Sequence, residues 1–485
     1  MRQLTPLEAG LLEVESPTNL GHLTTVLVLD PSTTPGGLTF DHLKSELTRR
    51  LPLVPALRRR LHELPWSVDR PYWIEDANFD LDFHVRYIAV PPPGDEADVR
   101  DLVARIHERP LDRSRPMWEL YLIHGLAGDR MAILAKIHHA AVGGLYGEPI
   151  LTALIDRRDP PPPDTWRPEL PPDDRALLVK AAVDNLGSPR AWMKAGRDLI
   201  RLVPGVGMVV GARSSGRTRL SGATYHEPPR MRFNRALSSH RRWATASLSV
   251  KQVRRTHKQL GVTFNDAVVS VCAGALRSWL ISRDELPPTP LVALVPITVA
   301  APGTTRDPLA AIVVGLATDQ EDPTLRLCDI HDSMSLAVAD HGALNIDVIR
   351  DLEEASPSLG AMVAALVART GLAERFQPRF NLVIANIPGP ERNLTCFGAR
   401  LEHEYTLSPI IDGAGLSISV HSHGDHLDFS LVSDRDAVPD LVDLAERIPE
   451  AFGELRRLGK AAATNRASRS DSGPAGGTAG ARAAS

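Results

Sequence analysis

Apolar residues recur at two different periods along this chain, and segments of the two kinds alternate. HLTTVLVLD (His22–Asp30) is rich in β-branched residues and predicts a strand. TFDHLKSELTRRL follows, with Phe40, Leu43, Leu47 and Leu51 on one helical face and Pro52 as the stop. RPYWIEDANFDLDFHVRYIAV predicts two extended pieces. DVRDLVARIHERP places Val99, Leu102, Val103 and Ile106 at i, i+3, i+4 and i+7, an amphipathic helix ended by Pro110. MWELYLIHGL and RMAILAKIHH then predict two strands joined by AGD. Such alternation predicts an α/β fold, a layered sheet with helices.

The pattern breaks at PPPPDTWRPELPPDD (Pro160–Asp174), too proline-dense for a helix or a central strand. Helical spacing returns from 175 to about 213, and the polar RSSGRTRLSGATYHEPP closes a crossover. A second α/β portion starts near Arg232. RRWATASLSV predicts a strand, Ser249 with Gln252 a capping box, and Gly261 the helix end. TFNDAVVSVCAGALRSWL predicts a long helix capped through Thr263 and Asp266. TPLVALVPITVA, AAIVVGLATD and RFNLVIANIPGP predict strands, and LSISVHSHGDHLDFSLVSD a hairpin around Gly424-Asp425. DLVDLAERIPEAFGELRRLG predicts a closing helix, and the small polar residues after it predict disorder. The expected division is 1–158, a crossover 159–231, a second domain 232–460 and a disordered tail 461–485. Two similar sheets would face each other, with a substrate site between them.

At 485 residues the chain exceeds one hydrophobic core, and 43% hydrophobic with 24% charged residues is ordinary for a globular protein. A net charge of −4 argues against nucleic acid as a partner. Cys272, Cys328 and Cys396 are far apart and form no C-x-x-C pair, so three buried thiols are expected rather than a zinc site or disulfides. The first residues carry Glu8, Glu13 and Glu15 and no apolar core of signal-peptide length. No window reaches ~18 uninterrupted apolar residues. LVPGVGMVVGA (Leu202–Ala212) comes nearest, broken by Pro204. A cytoplasmic protein is expected, with peripheral membrane or lipid-droplet contact as an option.

KIHHAAVGG (Lys136–Gly144) ends an apolar strand in two histidines. Alternation predicts that His138 and His139 point to opposite faces, one held in the protein and one facing a cleft. Gly143-Gly144 would let a ligand approach the backbone. An imidazole at such a strand–turn–helix junction suits general-base work near neutral pH. No Gly-x-Ser-x-Gly elbow completes a serine triad. Read alone, the pair admits a catalytic base, a satisfied structural histidine or a metal ligand. His421, His423 and His426 look like a second cluster, although a hairpin turn commonly exposes histidines.

KIHHAAVGG resembles the HHxxxDG motif of the bacterial wax ester synthase/diacylglycerol acyltransferase family. Further segments match in the same order. TPLEAGLLEVESP resembles its opening, LDRSRPMWELYLIHGL its Pro-Leu-Trp element (Pro116, Met117, Trp118), and TFNDAVVSVCAGALRSWL its Asn-Asp element (Asn265, Asp266). NIPGP (Asn386–Pro390), LSPIIDGAGLSISV and LDFSLVSDRD match the C-terminal half, so the resemblance runs from about residue 4 to about 458. It implies two chloramphenicol-acetyltransferase-like α/β domains in a pseudo-dimer, with a tunnel at their interface. The implied chemistry moves a fatty acyl group from acyl-CoA, the co-substrate, to diacylglycerol or a long-chain alcohol, with no cofactor and no metal. His139 would be the proton acceptor and His138 its support. Asn386, Pro388, Gly389 and Gly144 would line or shape the substrate site; a structural turn at Asn386–Pro390 is the alternative. Pro116, Trp118, Asn265 and Asp266 would be architectural.

One motif position departs: residue 143 is Gly where the family has Asp. The resemblance implies the loss of a charge-assisted hydrogen bond, and an arginine without its partner unless another acid takes over. Three expectations follow: a slower enzyme with a looser loop, a non-catalytic relative that binds acyl-CoA or lipid, or a droplet adaptor acting through the 175–213 helices.

Overall fold

The computed structural model describes residues 1–13, 15–65, 69–92, 94–142, 154–156, 163–168, 173, 175, 177–179, 227–298, 309–339, 380–389 and 394–471. The readings on Gly143, Gly144, most of the crossover, Leu202–Ala212 and Pro390 lie outside these residues.

Two six-stranded sheets carry the architecture. The first contains β2 (His22–Asp30), β5 (Val85–Ala89), β6 (Trp118–Leu126), β7 (Arg130–His138), β12 (Thr395–Cys396) and β13 (Ala399–Leu407), in the order β12-β13-β2-β7-β6-β5. The second contains β8 (Arg241–Ser249), β9 (Val292–Thr298), β10 (Leu309–Gly315), β11 (Leu382–Pro388), β14 (Leu416–His423) and β15 (His426–Asp434), in the order β10-β9-β11-β14-β15-β8. A three-stranded sheet joins β1 (Arg2–Gln3), β4 (Tyr72–Glu75) and β3 (Arg59–His62). The helices are α1 (Pro6–Glu13), α2 (Phe40–Arg50), α3 (Leu81–His84), α4 (Glu96–His107), α5 (His139–Val142), α6 (Val250–Leu260), α7 (Phe264–Ile281), α8 (Pro323–Ala339) and α9 (Leu441–Asp471).

Alternation along β2 and β7 gives the first sheet two apolar faces. Leu23, Leu27, Ile133 and Ile137 pack with Leu43, Leu47 and Trp118 on one side. Val26 and Leu134 pack with Val103 and Ile106 of α4, and with Trp243, Val432 and Tyr405, on the other. This second face joins the two sheets. In the second half the buried α7 lies against the sheet and α9. Thr263 and Asp266 form the expected capping box at its start.

Sheet membership does not follow chain order. β13, from the C-terminal part of the chain, pairs antiparallel with β2 from Arg400↔Asp30 to Leu407↔Thr24. It covers the edge that β2 would otherwise leave unpaired.

Several expectations are corrected. The stretch before β5 is not purely extended: Asp80 accepts from the Asp82 N–H and starts the short α3. Ser249 caps α6, but Gln252 does not bond back. Asp425, across the hairpin, takes the Ser249 hydroxyl at 3.1 Å and the Lys251 N–H at 3.0 Å. Helix α9 runs through Asp471, into the segment whose composition predicts disorder. The run AAATNRA there has good helix formers, and an existing helix elongates more easily than a new one nucleates. Cys272 and Cys396 are buried, but Cys328 on α8 is exposed. Among the described residues no single helix is long and apolar enough to cross a membrane. The α6–α7 pair passes by length and composition but bends by 103°, and much of α7 is core.

Candidate active site

The histidine pair sits where β7 stops. His138 is the last residue of the strand, with His22 as its cross-strand partner. His139 is already the first residue of α5, so strand alternation does not govern it. Both are buried, at 1% and 4% exposure. Their backbone N–H groups are fixed from both sides. His138 donates to the Met117 carbonyl and His139 to the Gly21 carbonyl, each at 3.0 Å.

The ring of His138 is committed. Its Nδ1 accepts the Ala140 N–H at 3.1 Å, so in the neutral ring the proton belongs on Nε2. Nε2 stands 3.2 Å from Glu15 Oε1, close enough for strong attraction although not aligned as a hydrogen bond. A methyl group on Gly21 would come within 2.7 Å of this Nε2, so residue 21 must stay side-chain-free for the ring to fit.

Glu15 is the carboxylate the sequence did not single out. Oε1 also accepts the Gly21 N–H at 2.8 Å, and Oε2 accepts Arg113 Nη2 at 2.6 Å. Arg113 donates to the Leu12 carbonyl as well, at 2.8 Å. Burial raises the Glu15 carboxyl, but His138, Arg113 and the Gly21 N–H outweigh it and bring it down to about 2. Glu15 is therefore an anion throughout the working range, and Arg113 beside the pair has an acid partner. Nothing local in the sequence links Glu15, Arg113 and His138, because the loop before β2, the loop before β6 and the end of β7 bring them together.

A basic group lies along the same face of β7. Lys136 is fully buried and donates to the Ile106 carbonyl at 2.9 Å and to that of Arg109. His22 Nε2 donates to the His107 carbonyl at 2.6 Å. These contacts satisfy the carbonyls at the end of α4. Burial pulls Lys136 down to about 8, and holds His22 and His107 well below the usual imidazole range.

Pro116-Met117-Trp118 buttresses the pair. Pro116 is buried, Met117 supplies the carbonyl to His138, and Trp118 Nε1 donates to Leu57 O at 2.7 Å while its ring stacks on His84 at 4.5 Å. Trp118→Phe should cost about 1–3 kcal/mol in a urea melt, because the buried Leu57 carbonyl loses its donor. A change below ~0.5 kcal/mol would deny that role.

The other motif residues gather on the second sheet. Asn386 on β11 donates to Asn265 Oδ1 at 2.5 Å, while its own Oδ1 is buried without a partner among the described residues. Asp266 also meets His331 Nδ1 at 2.7 Å. Pro388, exposed, is paired in register with Ser422. Gly389 donates to Ser422 Oγ at 3.1 Å.

The hairpin histidines are not exposed as expected: His421 and His423 are 5% and 2% accessible, because β13 lies over the hairpin. Donor atoms of His403, His426 and Asp428 come within 4.8 Å of one another. Buried Asp428 is already engaged, by Ser247 Oγ at 2.7 Å, His403 Nδ1 at 3.0 Å and the Glu404 N–H at 2.9 Å. His421 Nε2 meets Thr406 Oγ1 at 2.9 Å. These groups bind one another and pin β13 to the second sheet. A metal ion would have to break that network.

The paired sheets are those of an acyltransferase, as comparison with known proteins establishes. Residues 4–268 match the model of the wax ester synthase/diacylglycerol acyltransferase catalytic domain, and residues 308–456 that of the C-terminal domain of the same group. A Mycobacterium tuberculosis H37Rv protein provisionally designated a diacylglycerol O-acyltransferase is 32% identical over 468 residues, 94% of this chain and 90% of its own. A second from the same strain, also designated a diacylglycerol O-acyltransferase, is 30% identical over 474 residues, 94% and 99% of the two chains. The solved wax ester synthase/diacylglycerol acyltransferase from Marinobacter aquaeolei VT8 is 26% identical and superposes with a TM-score of 0.66 over 94% of this chain and 100% of that one. The chain belongs to the wax ester synthase/diacylglycerol acyltransferase family, and its two-domain α/β fold is the one the resemblance implies.

Proposed function

We propose that this acyltransferase moves a long-chain fatty acyl group from acyl-CoA to diacylglycerol, giving triacylglycerol, with long-chain alcohols as alternative acceptors giving wax esters. The observation that carries the reading is the junction itself. His139 is held by its backbone at the end of a central strand, at the second histidine of the motif, while its neighbour's ring faces Glu15 and Ala140; this placement supports His139 as the group that moves the proton.

His139 accepts the proton of the acceptor hydroxyl as that oxygen attacks the thioester carbonyl carbon. The new C–O bond forms, the C–S bond breaks, and the proton passes from His139 to the departing CoA thiolate. No acyl-enzyme and no cofactor enter. The substrates would meet in a tunnel between the sheets, with the free Asn386 Oδ1 as a polar contact on the second sheet. A lipid acceptor implies weak peripheral contact with a membrane or droplet surface.

Purified protein with palmitoyl-CoA and 1,2-dioleoylglycerol or hexadecanol tests this, by thiol release and by chromatography of the ester. Ester formation matched one-to-one by free CoA is expected. Binding of palmitoyl-CoA with no CoA release above the enzyme-free background would instead identify a lipid-binding relative without catalysis.

A further inference from the structure

We propose that Glu15 is the positioning residue of this site, the carboxylate that sets the tautomer of His138 and, through two routes, the place of His139. The proposal rests on the reading of His139 as the base.

The first route runs through a ring. The ionised Glu15 Oε1, 3.2 Å from His138 Nε2, draws the imidazole proton to that nitrogen. Nδ1 is then a bare acceptor, and takes the Ala140 N–H at 3.1 Å. With the proton on Nδ1, two N–H groups would face each other there, and the first turn of α5 would open next to His139.

The second route runs through the backbone. The same Oε1 accepts the Gly21 N–H at 2.8 Å, and the Gly21 carbonyl accepts the His139 N–H at 3.0 Å. One carboxylate oxygen thus holds the residues on both sides of His139's attachment. Glu15 is steered in turn by Arg113 at 2.6 Å, which is anchored to the Leu12 carbonyl. Arg113 also lies just before Pro116-Met117-Trp118, whose Met117 carbonyl takes the His138 N–H. Nothing in this arrangement requires Glu15 to touch substrate. It acts on the reaction through geometry, where displacement of a reacting group by about 1 Å can cost ~10²-fold in rate.

Glu15→Gln keeps the shape and removes the charge, and its amide N–H₂ would face a second donor at His138 Nε2. The expected result is a kcat lower by about 10- to 100-fold, with KM for palmitoyl-CoA within about twofold. Imidazole ¹⁵N spectra of the full-length protein, assigned with a His138→Gln control, should show His138 protonated on Nε2 in the wild type and shifted toward Nδ1 in Glu15→Gln. Glu15→Asp, which keeps the charge one methylene further back, should retain the wild-type tautomer and lose less rate. A merely structural Glu15 would lower Tm and kcat together without moving the tautomer; that outcome, or an unchanged kcat, would overturn the proposal. If Glu15→Gln does not fold, Arg113→Met releases the carboxylate from its other partner. It should shift the same resonance and lower kcat about tenfold, and an unaltered resonance would count against Glu15. The spectra need no turnover. An inactive wild type would therefore sink the acyl-transfer reading, while the tautomer would still decide the place of Glu15.

Discussion

His139→Ala should lower kcat/KM for palmitoyl-CoA by roughly 10²- to 10⁴-fold, the range for loss of a positioned general base. That is about 3–5 kcal/mol of transition-state stabilisation, at ~1.4 kcal/mol per tenfold. The fold should survive. The His139 N–H keeps its bond to the Gly21 carbonyl, since that contact belongs to the backbone. Loss of a buried ring costs some stability through the cavity it leaves, but His138, Glu15 and Arg113 remain linked. Initial rates by CoA release, beside a thermal melt, separate the two effects. A rate loss under tenfold in a folded variant would remove His139 from the base role. His138→Ala makes the contrast. It strips Ala140 of its acceptor and Glu15 of a neighbour, so it should lose more stability than His139→Ala.

The second large effect is expected at Gly389. A methyl group there would stand 2.1 Å from the Ser422 carbonyl oxygen, far inside van der Waals contact. The obstacle is the backbone of β14 and has no rotamer by which to withdraw. β11 lies between β9 and β14 in the second sheet, so the shift would disturb pairings on either side. Gly389→Ala should therefore cost about 3 kcal/mol or more, at or beyond the upper end of overpacking penalties. In a chain of this size that lowers Tm by several degrees. A Tm within ~1 °C of wild type would show that the strand end adapts. The NIPGP stretch thus includes a close-packing glycine, Gly389, and Asn386, inside β11, donates to Asn265 in the first turn of α7.

The elements were legible in the sequence because their signals are local. The two periods of apolar residues located β2, β6, β7, α2 and α4, and the residues that stop or cap them stand next to them in the chain. Thr263 with Asp266, Gly261 after α6 and Gly424-Asp425 between β14 and β15 act over a few bonds. The order of motifs made the family and its histidine pair readable as well. Local reading erred where a distant partner intervened. His421 and His423 are buried because β13 covers them, and the Gln252 side chain accepts from Arg456 of α9 rather than bonding back to Ser249. The tail beyond Lys460 continues as helix because α9 is already formed before it.

By itself, then, the chain determined its α/β elements, their caps and the place of the histidine pair, since helix and strand periods and cap geometry are properties of neighbouring residues. Tertiary structure alone decided which carboxylate serves that pair. Glu15 reaches His138 only when the loop before β2 folds across the end of β7, and Gly21 permits the approach by having no side chain to block it. Tertiary structure also decided that β13 completes the first sheet. Both depend on contacts between segments far apart in the chain, which no period or motif records.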